Sequence, residues 1–396
     1  MSTGTAPQTT QATDWRQEWH EFEGATYLNL AGMAPMPKVS LKAVQTAVEA
    51  KKLPHLFDDA RFFDVPNRLR ANLAKLIGAK PEEIALTTGA STGAIAVAYA
   101  LDWKPGDEVI TSKAEFPLQY TTWKPMEQRE GITVKIVEPS GKGPNGKFLT
   151  SDDLIAALTP RTRVVSVSHV RFDDGSMLDV PRLAEACHKQ GALLLLDVSQ
   201  SCGAVPIDVT TLGADFLVSA GYKWLLGPFG TGFFWVKKEL LASLRPGPFY
   251  WMAVEGSGNF SKLDFSNPKA AESAQRWDTP EWASHFNFNL VTFDASVEFV
   301  LRAAPGEVLT QNHKLIDSLL SRLPVDRCVA ASPLDASLRG PYGCFVARTP
   351  EKTAELYRKL REERIFVSLR ESKIRVSPYL YNTIQDIDRL VSAITT

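Results

Sequence analysis

The feature that most constrains the fold is an alternation of short apolar segments with helical ones between about residues 84 and 236. Its clearest unit is a helix that Asp179 can cap and that Gly191 can end, followed by the aliphatic run 193–196. A continuous aliphatic run of this length predicts a parallel strand that is buried on both faces. The repetition of strand and helix predicts an α/β protein with a mainly parallel central sheet and right-handed crossovers.

The alternation predicts strands and helices in most of the chain. Predicted strands in the first part are 84–88, 108–111, 132–137, 164–167, 193–196, 214–219 and 232–236. Predicted helices there are 91–101, 152–158 and about 180–190, with a loop at 140–147. Beyond a loose stretch at 237–290, we predict helices at 290–301, 352–361 and 384–394, and strands at 343–347, 366–369 and 374–376.

This pattern divides the chain into three parts. Residues 1–13 are rich in Ser, Thr, Gln and Pro and are expected to form a disordered tail. Residues 14–270 are expected to form a large domain, whose segment 14–50 can pack on the small one. Residues 271–396 are expected to form a smaller α+β domain, with the boundary between about 255 and 290.

Composition excludes several classes of protein. The formal net charge is −1, which argues against binding to nucleic acid or to an anionic membrane. No apolar run approaches the roughly 18–20 residues that span a bilayer, and the first residues lack the pattern of a signal peptide. The four cysteines show neither metal-site nor disulfide-framework spacing, so we expect no metal and a cytoplasmic enzyme.

Polar residues follow the predicted strands where a ligand would bind. Asp197 ends one strand, Gln200 follows it, and Lys223 comes just after the next strand. The turn 88–92 leads from a strand into a helix, whose free backbone amides suit a phosphate. A phosphate cradle, an acid and a lysine at strand ends match the needs of pyridoxal phosphate.

The spacing of these residues resembles that of a known family. The motifs Asp197-x-x-Gln200 and Gly221-Tyr-Lys223-Trp-Leu-Leu-Gly-Pro228 are similar to those of the class V aminotransferases, fold-type I pyridoxal-phosphate enzymes that include cysteine desulfurases and isopenicillin N epimerase-like proteins. The resemblance covers most of the chain, up to the stretch 373–382. It therefore implies pyridoxal 5'-phosphate as cofactor and a fold-type I architecture.

The resemblance also implies roles for particular residues. Lys223 would form the Schiff base, Asp197 would pair with the pyridine nitrogen, and Gln200 would bond to the ring oxygen. Further cofactor contacts would come from Ala90, Ser91, Thr92, Phe116, Ser219, Tyr222 and Thr279. Of these, Phe116 would stack on the ring, and Thr279 would reach the phosphate of a neighbouring subunit, so a homodimer is expected. Arg375 would bind the substrate carboxylate, with Asn29 as a further substrate contact.

Three positions depart from the family pattern. Ala220 stands where many relatives have Ser, so the role of Ser219 at the phosphate is open. Arg171 stands near a common Asn, so the usual polar contact to the ring oxygen is open too. Asp278 replaces a common Gly before Thr279.

The reaction is less constrained than the cofactor. A persulfide-forming desulfurase needs a mobile thiol before the terminal arginine, and the stretch 366–375 contains no Cys. We expect an enzyme that forms a Schiff base with an amino acid and removes its α-proton, with an aminotransferase first. An isopenicillin N epimerase-like epimerase and a lyase are the alternatives. A non-catalytic protein of this fold is the non-enzyme alternative, and a dinucleotide-binding dehydrogenase is disfavoured because no G-x-G-x-x-G follows the early strands.

Overall fold

The computed structural model describes residues 14–58, 61–245, 247, 250–262, 266–279 and 287–396. The predicted tail, residues 1–13, lies outside the described residues, as does part of the loose stretch 237–290. In the described residues, no helix is both long enough and apolar enough to cross a lipid bilayer.

The strands are numbered in chain order. They are β1 (Thr26–Tyr27), β2 (Ile84–Thr87), β3 (Glu108–Ser112), β4 (Thr133–Val137), β5 (Gly141–Gly143), β6 (Gly146–Phe148), β7 (Thr162–Ser168), β8 (Leu193–Asp197), β9 (Phe216–Ala220), β10 (Gly232–Val236), β11 (Cys328–Ala330), β12 (Gly343–Ala347), β13 (Ile365–Phe366), β14 (Ser368–Arg370) and β15 (Lys373–Val376).

The α-helices are numbered in the same way. They are α1 (Lys38–Lys51), α2 (Asp64–Ile77), α3 (Ala90–Ala100), α4 (Leu118–Thr121), α5 (Lys124–Glu130), α6 (Ser151–Ala157), α7 (Val180–Lys189), α8 (Val209–Leu212), α9 (Phe288–Ala303), α10 (Pro305–Ser321), α11 (Pro350–Glu362) and α12 (Ile384–Thr395).

The central sheet has seven strands in the order β2-β10-β9-β8-β7-β3-β4. Only β10 runs against its neighbours β2 and β9, and the other pairings between adjacent strands are parallel. The carboxyl ends of the parallel strands therefore lie at one edge, where ligands bind in sheets of this kind. The predicted mainly parallel sheet is confirmed.

Helices cover both faces of this sheet. On one face, Leu194 and Leu196 join a core with α2, α7 and α9. On the other face, Leu195 and Val218 join a core with α3, α4 and α5. The continuous aliphatic character of β8 follows from this double burial. The predicted sandwich of helices around the sheet is confirmed.

A second sheet forms the C-terminal part, in the order β11-β12-β15-β14. Along β15 the side chains alternate strictly, because Ile374 and Val376 enter a core with α10, α11 and α12 while Lys373 and Arg375 face the other way. The N-terminal strand β1 pairs in parallel with β13 of this part. Helix α9 instead packs on α1 and α2, in the core of the large sheet. The division into domains at 270 remains a prediction.

Most predicted elements lie where they were expected, and the helix α7 illustrates why. Asp179 accepts a hydrogen bond from the backbone N of Arg182 at 3.3 Å, and Gly191 has a φ of +74° beyond the last turn. Two details differ. The predicted strand 366–369 is divided between β13 and β14, which pair with different strands, and the predicted loop 140–147 contains the hairpin β5–β6.

Candidate active site

The loop after β9 places Lys223 at the ligand-binding edge of the sheet. A Cβ on Gly221 would lie 2.2 Å from Oγ1 of Thr231, and a Cβ on Gly227 would lie 2.6 Å from Cδ2 of Phe293. The backbone N of Gly227 donates to the carbonyl of Gly221 at 2.8 Å, which closes the loop around the lysine. The spacing of the two glycines in the sequence motif therefore has a steric cause.

The amine of Lys223 is enclosed by aromatic rings. Its side chain is buried, and Nζ lies 5.2 Å from the ring centroid of Phe116 and 5.8 Å from that of Tyr222. In the part of the chain that the structure describes, no carboxylate lies within ion-pair distance of it. Burial lowers the pKa of Lys223 to about 8; the charge of Asp197 acts in the opposite direction, and the charges of Arg375 and Arg370 lower the pKa further. The amine is thus available as a nucleophile and a base near neutral pH.

Asp197 presents its carboxylate beside this lysine. It ends β8 and points to the same face of the sheet as Leu195, the face on which α3 packs. Its Oδ1 accepts a hydrogen bond from the backbone N of Ser199 at 2.8 Å, and the hydroxyl of Ser199 accepts one from the backbone N of Ala220 at 2.9 Å. These bonds hold the carboxylate in one orientation and leave its second oxygen for an N–H donor.

The amide of Gln200 is also oriented. Its Oε1 accepts a hydrogen bond from the indole Nε1 of Trp224 at 3.0 Å, and its Nε2 donates to the carbonyl of Ala31 at 3.1 Å. One amide hydrogen remains for a ligand oxygen. Trp224 follows Lys223 directly, so the lysine motif also fixes the glutamine.

The N-terminus of α3 is suited to bind an anion. Helix α3 begins at Ala90 with no side-chain cap, so the first backbone amides, of Ala90, Ser91 and Thr92, have no intrahelical acceptor. A Cβ on Gly89 would meet no atom within 4 Å, so there is open space beside this helix end. Uncapped amides and the helix dipole favour a phosphate here.

The side chains of three other predicted cofactor residues, Ser219, Tyr222 and Thr279, have different surroundings. The hydroxyl of Ser219 donates to the carbonyl of Ala220 at 3.2 Å, and its side chain faces away from α3, because the adjacent Val218 packs on Gly93 of that helix. The ring of Tyr222 stacks on Phe229 with centroids 4.2 Å apart. The backbone N of Thr279 donates to the carbonyl of Leu86 at 3.1 Å, while its buried Oγ1 has no partner.

The predicted substrate residues lie on the C-terminal side of the site. Arg375 is buried, and its guanidinium donates from Nε to the hydroxyl of Ser368 at 3.2 Å and from Nη1 to the carbonyl of Phe172 at 2.8 Å. Within the described chain it pairs with no carboxylate, so its Nη2 is left for an anion. The backbone of Asn29 forms an isolated parallel β-bridge with Ser377. The buried side-chain Oδ1 of Asn29 has no hydrogen-bond partner among the described residues.

Arg171 takes part in a buried charge network that the sequence did not reveal. Its guanidinium donates to Oγ of Ser112 at 2.8 Å and to the carbonyl of Ala114 at 2.9 Å, and it pairs with Asp173 at 3.1 Å. Asp173 also accepts from Nζ of Lys373 at 2.8 Å. The network therefore ties the loop that precedes Phe116 to the strand of Arg375.

Asp278 has a local structural explanation as well. Its carboxylate accepts two hydrogen bonds from the buried guanidinium of Arg70 and one from the backbone N of Leu86 at 2.8 Å. These contacts fasten the segment before Thr279 to β2. The acid that replaces the common glycine is thus a structural anchor.

No cysteine lies at the position that a sulfur carrier would occupy. All four thiols are buried, and burial raises the pKa of Cys202 and of Cys344 to about 12. Strands β14 and β15 are joined by the two-residue turn 371–372, since Arg370 pairs with Lys373. The stretch before Arg375 is therefore a short hairpin without a thiol.

The chain matches a family model over nearly its whole length. Residues 26–390 match the model described as aminotransferase class-V. The chain belongs to the class V aminotransferase family. This is a family of fold-type I pyridoxal-phosphate enzymes, so the cofactor class and the fold expected from the sequence are confirmed.

Individual relatives carry different activities. The chain is 28% identical to an uncharacterised aminotransferase, YcbU, of Bacillus subtilis, over 82% of each chain. It is also 28% identical to isopenicillin N epimerase of Streptomyces clavuligerus, over 95% of this chain and 98% of the relative. A solved structure of C-DES, with glycine covalently linked to its PLP cofactor, superposes with a TM-score of 0.85 at 22% identity, over 96% of this chain and 98% of that one. The last similarity supports the fold.

Proposed function

We propose that this class V enzyme is an aminotransferase that binds pyridoxal phosphate through Lys223 and accepts the amino group of a small α-amino acid. One observation carries the proposal: a buried lysine of lowered pKa lies within the electrostatic reach of an arginine, Arg375, that has no carboxylate partner in the described chain. A single base and a carboxylate clamp are the minimum that transamination of an amino acid requires.

The unsatisfied groups of the site fit this cofactor. The uncapped amides of α3 would hold the phosphate, and Asp197 would keep the ring nitrogen protonated. The remaining hydrogen of the Gln200 amide would bond to the ring oxygen, and Phe116 would cover one face of the ring. The placement of Ser219 supports no phosphate contact for that residue.

Arg375 and Lys223 have different roles in the proposed reaction. Bound pyridoxal phosphate supplies an electron sink for the charge that develops at the substrate Cα. Arg375 holds the α-carboxylate through its free edge and so directs the Cα–H bond toward Lys223. The amine of Lys223, neutral in part near pH 8, would take the proton from the substrate Cα, and the resulting ammonium group would be the proton donor on the same face.

The charges around Lys223 favour transfer over inversion. The groups that act most on its pKa are Asp197, Arg375 and Arg370. A guanidinium is not a general acid, and Asp197 is assigned to the ring nitrogen, so none of these three groups is suited to return a proton from the opposite face. An amino-acid epimerase is the second candidate, supported by the similarity to isopenicillin N epimerase over 95% of the chain.

A homodimer would complete the site. By the family resemblance, Thr279 would contact the phosphate bound by a second copy; in the single chain its hydroxyl is buried and has no partner among the described residues. The exposed ring of Phe229 stacks on Tyr222 beside the site, and Ile95 is exposed on α3. Burial of this face by a second subunit would account for their exposure.

A panel of amino donors tests the proposal. Holoenzyme is mixed with single amino acids, and the cofactor spectrum, the keto acid, ammonia and deuterium at Cα are measured. Formation of the amino form of the cofactor with one equivalent of keto acid is expected. Deuterium exchange with racemisation and no keto acid would replace the proposal by the epimerase. Keto acid with ammonia would replace it by a lyase.

Variants assign the roles in the same assay. Lys223→Ala should lose borohydride fixation of the cofactor and all turnover, whereas Lys189→Ala, an exposed lysine on α7, should lose neither. Arg375→Ala should raise KM for amino acids and lower kcat/KM. Unchanged turnover in Lys223→Ala would refute the assignment of the base.

A further inference from the structure

The small sheet presents a row of cations on the face that is turned toward the site. In the hairpin β14–β15, Ser368 pairs with Arg375 and Arg370 pairs with Lys373. Side chains of paired residues lie on one face, so Arg370, Lys373 and Arg375 share the face opposite the core of α10–α12. Arg375 and Lys373 both reach the large domain, at Phe172 and Asp173.

Within this row, Arg370 and Arg375 have no acidic partner among the described residues, and Arg370 also has the fewest other hydrogen bonds. Lys373 is neutralised by Asp173 at 2.8 Å, and the guanidinium of Arg375 is directed by Ser368 and by the carbonyl of Phe172. Arg370 is exposed and donates only to the carbonyl of Leu369, at 2.8 Å, in the part of the chain that the structure describes. It therefore has most of its donors free for a ligand.

The position of Arg370 relative to Arg375 is set by the register of the hairpin. The two residues are diagonal neighbours across the strand pair, a relation that separates Cα atoms by about 7–8 Å and lets long side chains meet a common ligand. The positive charge of Arg370 also acts on Lys223 and Arg375, because it lowers the pKa of both groups.

We propose, on the basis of the aminotransferase function above, that Arg370 binds a second anionic group on the substrate side chain, so that the preferred substrate is an acidic α-amino acid. The α-carboxylate would occupy the free edge of Arg375, and the side-chain carboxylate would reach the guanidinium of Arg370. Two guanidinium groups that lack acidic partners form a pair of sites for a dicarboxylic amino acid.

The turn of the hairpin keeps Arg370 at this place. Residues 371 and 372 both have positive φ, at +44° and +58°, which matches the tight two-residue turns that join twisted strands. A turn of this length leaves Arg370 paired and gives it little freedom to move away from Arg375. The specificity is therefore built into the sheet and not into a long loop.

The experiment compares L-glutamate with L-glutamine, which have nearly the same size and differ in charge. Holoenzymes of the wild type, Arg370→Gln and Arg358→Gln are assayed for kcat/KM with both donors. Arg358 is an exposed arginine of α11, on the other side of the small sheet, so its variant loses the same charge elsewhere. In the wild type we expect glutamate to exceed glutamine by about 10- to 100-fold, as for a charge-assisted hydrogen bond. In Arg370→Gln this ratio should fall to near one, and in Arg358→Gln it should not change.

A binding measurement separates this inference from the proposed function. Glutarate and butyrate are titrated into each holoenzyme by calorimetry, which requires no turnover. Tighter binding of glutarate that is lost in Arg370→Gln supports the second anion site even if no amino transfer is found. Equal binding of the two acids, or a glutamate preference that survives in Arg370→Gln, would overturn the inference even if the aminotransferase activity is found. Weaker binding of pyridoxal phosphate in Arg370→Gln with an unchanged donor ratio would assign Arg370 to the cofactor phosphate and also overturn it.

Discussion

The pKa of Lys223 can be tested without the cofactor. Burial lowers it to about 8 from the ordinary lysine value of 10.5. At pH 7.5, about a quarter of a group with a pKa of 8 is neutral, compared with roughly 0.1% of an ordinary lysine, by the usual titration relation. The neutral amine of Lys223 should thus be roughly 200-fold more abundant than that of an exposed lysine, which is the form that attacks a carbonyl.

Competitive labelling measures this difference directly. Apoprotein is treated with trace acetic anhydride at a series of pH values, and the labelling of each lysine is read by mass spectrometry after denaturation and full labelling. The labelling of Lys223 should rise through a midpoint near pH 8. Lys75, an exposed lysine of α2, serves as the internal control for reagent chemistry.

Two variants test the physical cause. The charge of Asp197 raises the pKa of Lys223 and that of Arg375 lowers it, so the midpoint should fall in Asp197→Asn and rise in Arg375→Met. A midpoint near 10.5 in the wild type would refute the argument from burial. A midpoint near 8 that moves in the opposite order would refute the assignment of the neighbouring charges.

Three further substitutions probe the supports of the site. Lys373→Met removes one of the two cationic partners of Asp173 and should raise KM for amino acids several-fold with a smaller effect on kcat, as measured by steady-state kinetics. Gly221→Ala places a Cβ where the hydroxyl of Thr231 lies, so cofactor content, measured by absorbance, should fall sharply while far-UV circular dichroism is kept. Asp278→Asn leaves the buried guanidinium of Arg70 without its counter-charge and should lower the free energy of unfolding by about 3–5 kcal/mol in urea titrations.

The strands of the large sheet could be predicted because burial on both faces leaves a simple signature. The aliphatic run of β8 is one case, and the capped helix α7 before it is another. Helix α1 was not predicted, since its buried side chains include Ser40 and Ala47 while Val39 and Val48 are exposed. It packs closely on α9 through small side chains, with the hydroxyls of Ser40 and Ser296 2.8 Å apart, so the usual apolar periodicity does not mark it.

In the candidate site too, some residues could be predicted from the sequence and others could not. Lys223, Asp197 and Gln200 could be found from the sequence because each follows a strand end at a short spacing. The partners that orient them could not, because Trp224 reaches Gln200 and Phe172 reaches Arg375 only after the chain has folded. Local pattern thus locates reactive groups, whereas long-range contacts decide their orientation.

One departure from the family pattern, Arg171, contacts the segments that carry two residues of the candidate site. Arg171 stands near a common Asn, and it supports the loop before Phe116 and, through Asp173 and Lys373, the strand that carries Arg375. Because a buried ion network costs desolvation, its stability depends on every charge keeping its partner. Lys373 is held by that network, whereas Arg370, its pair across the turn, donates only to the carbonyl of Leu369 among the described residues. We propose that this network positions Arg375 for the α-carboxylate and that Arg370 receives the side-chain anion, so the side-chain charge of the amino donor is the first property to vary.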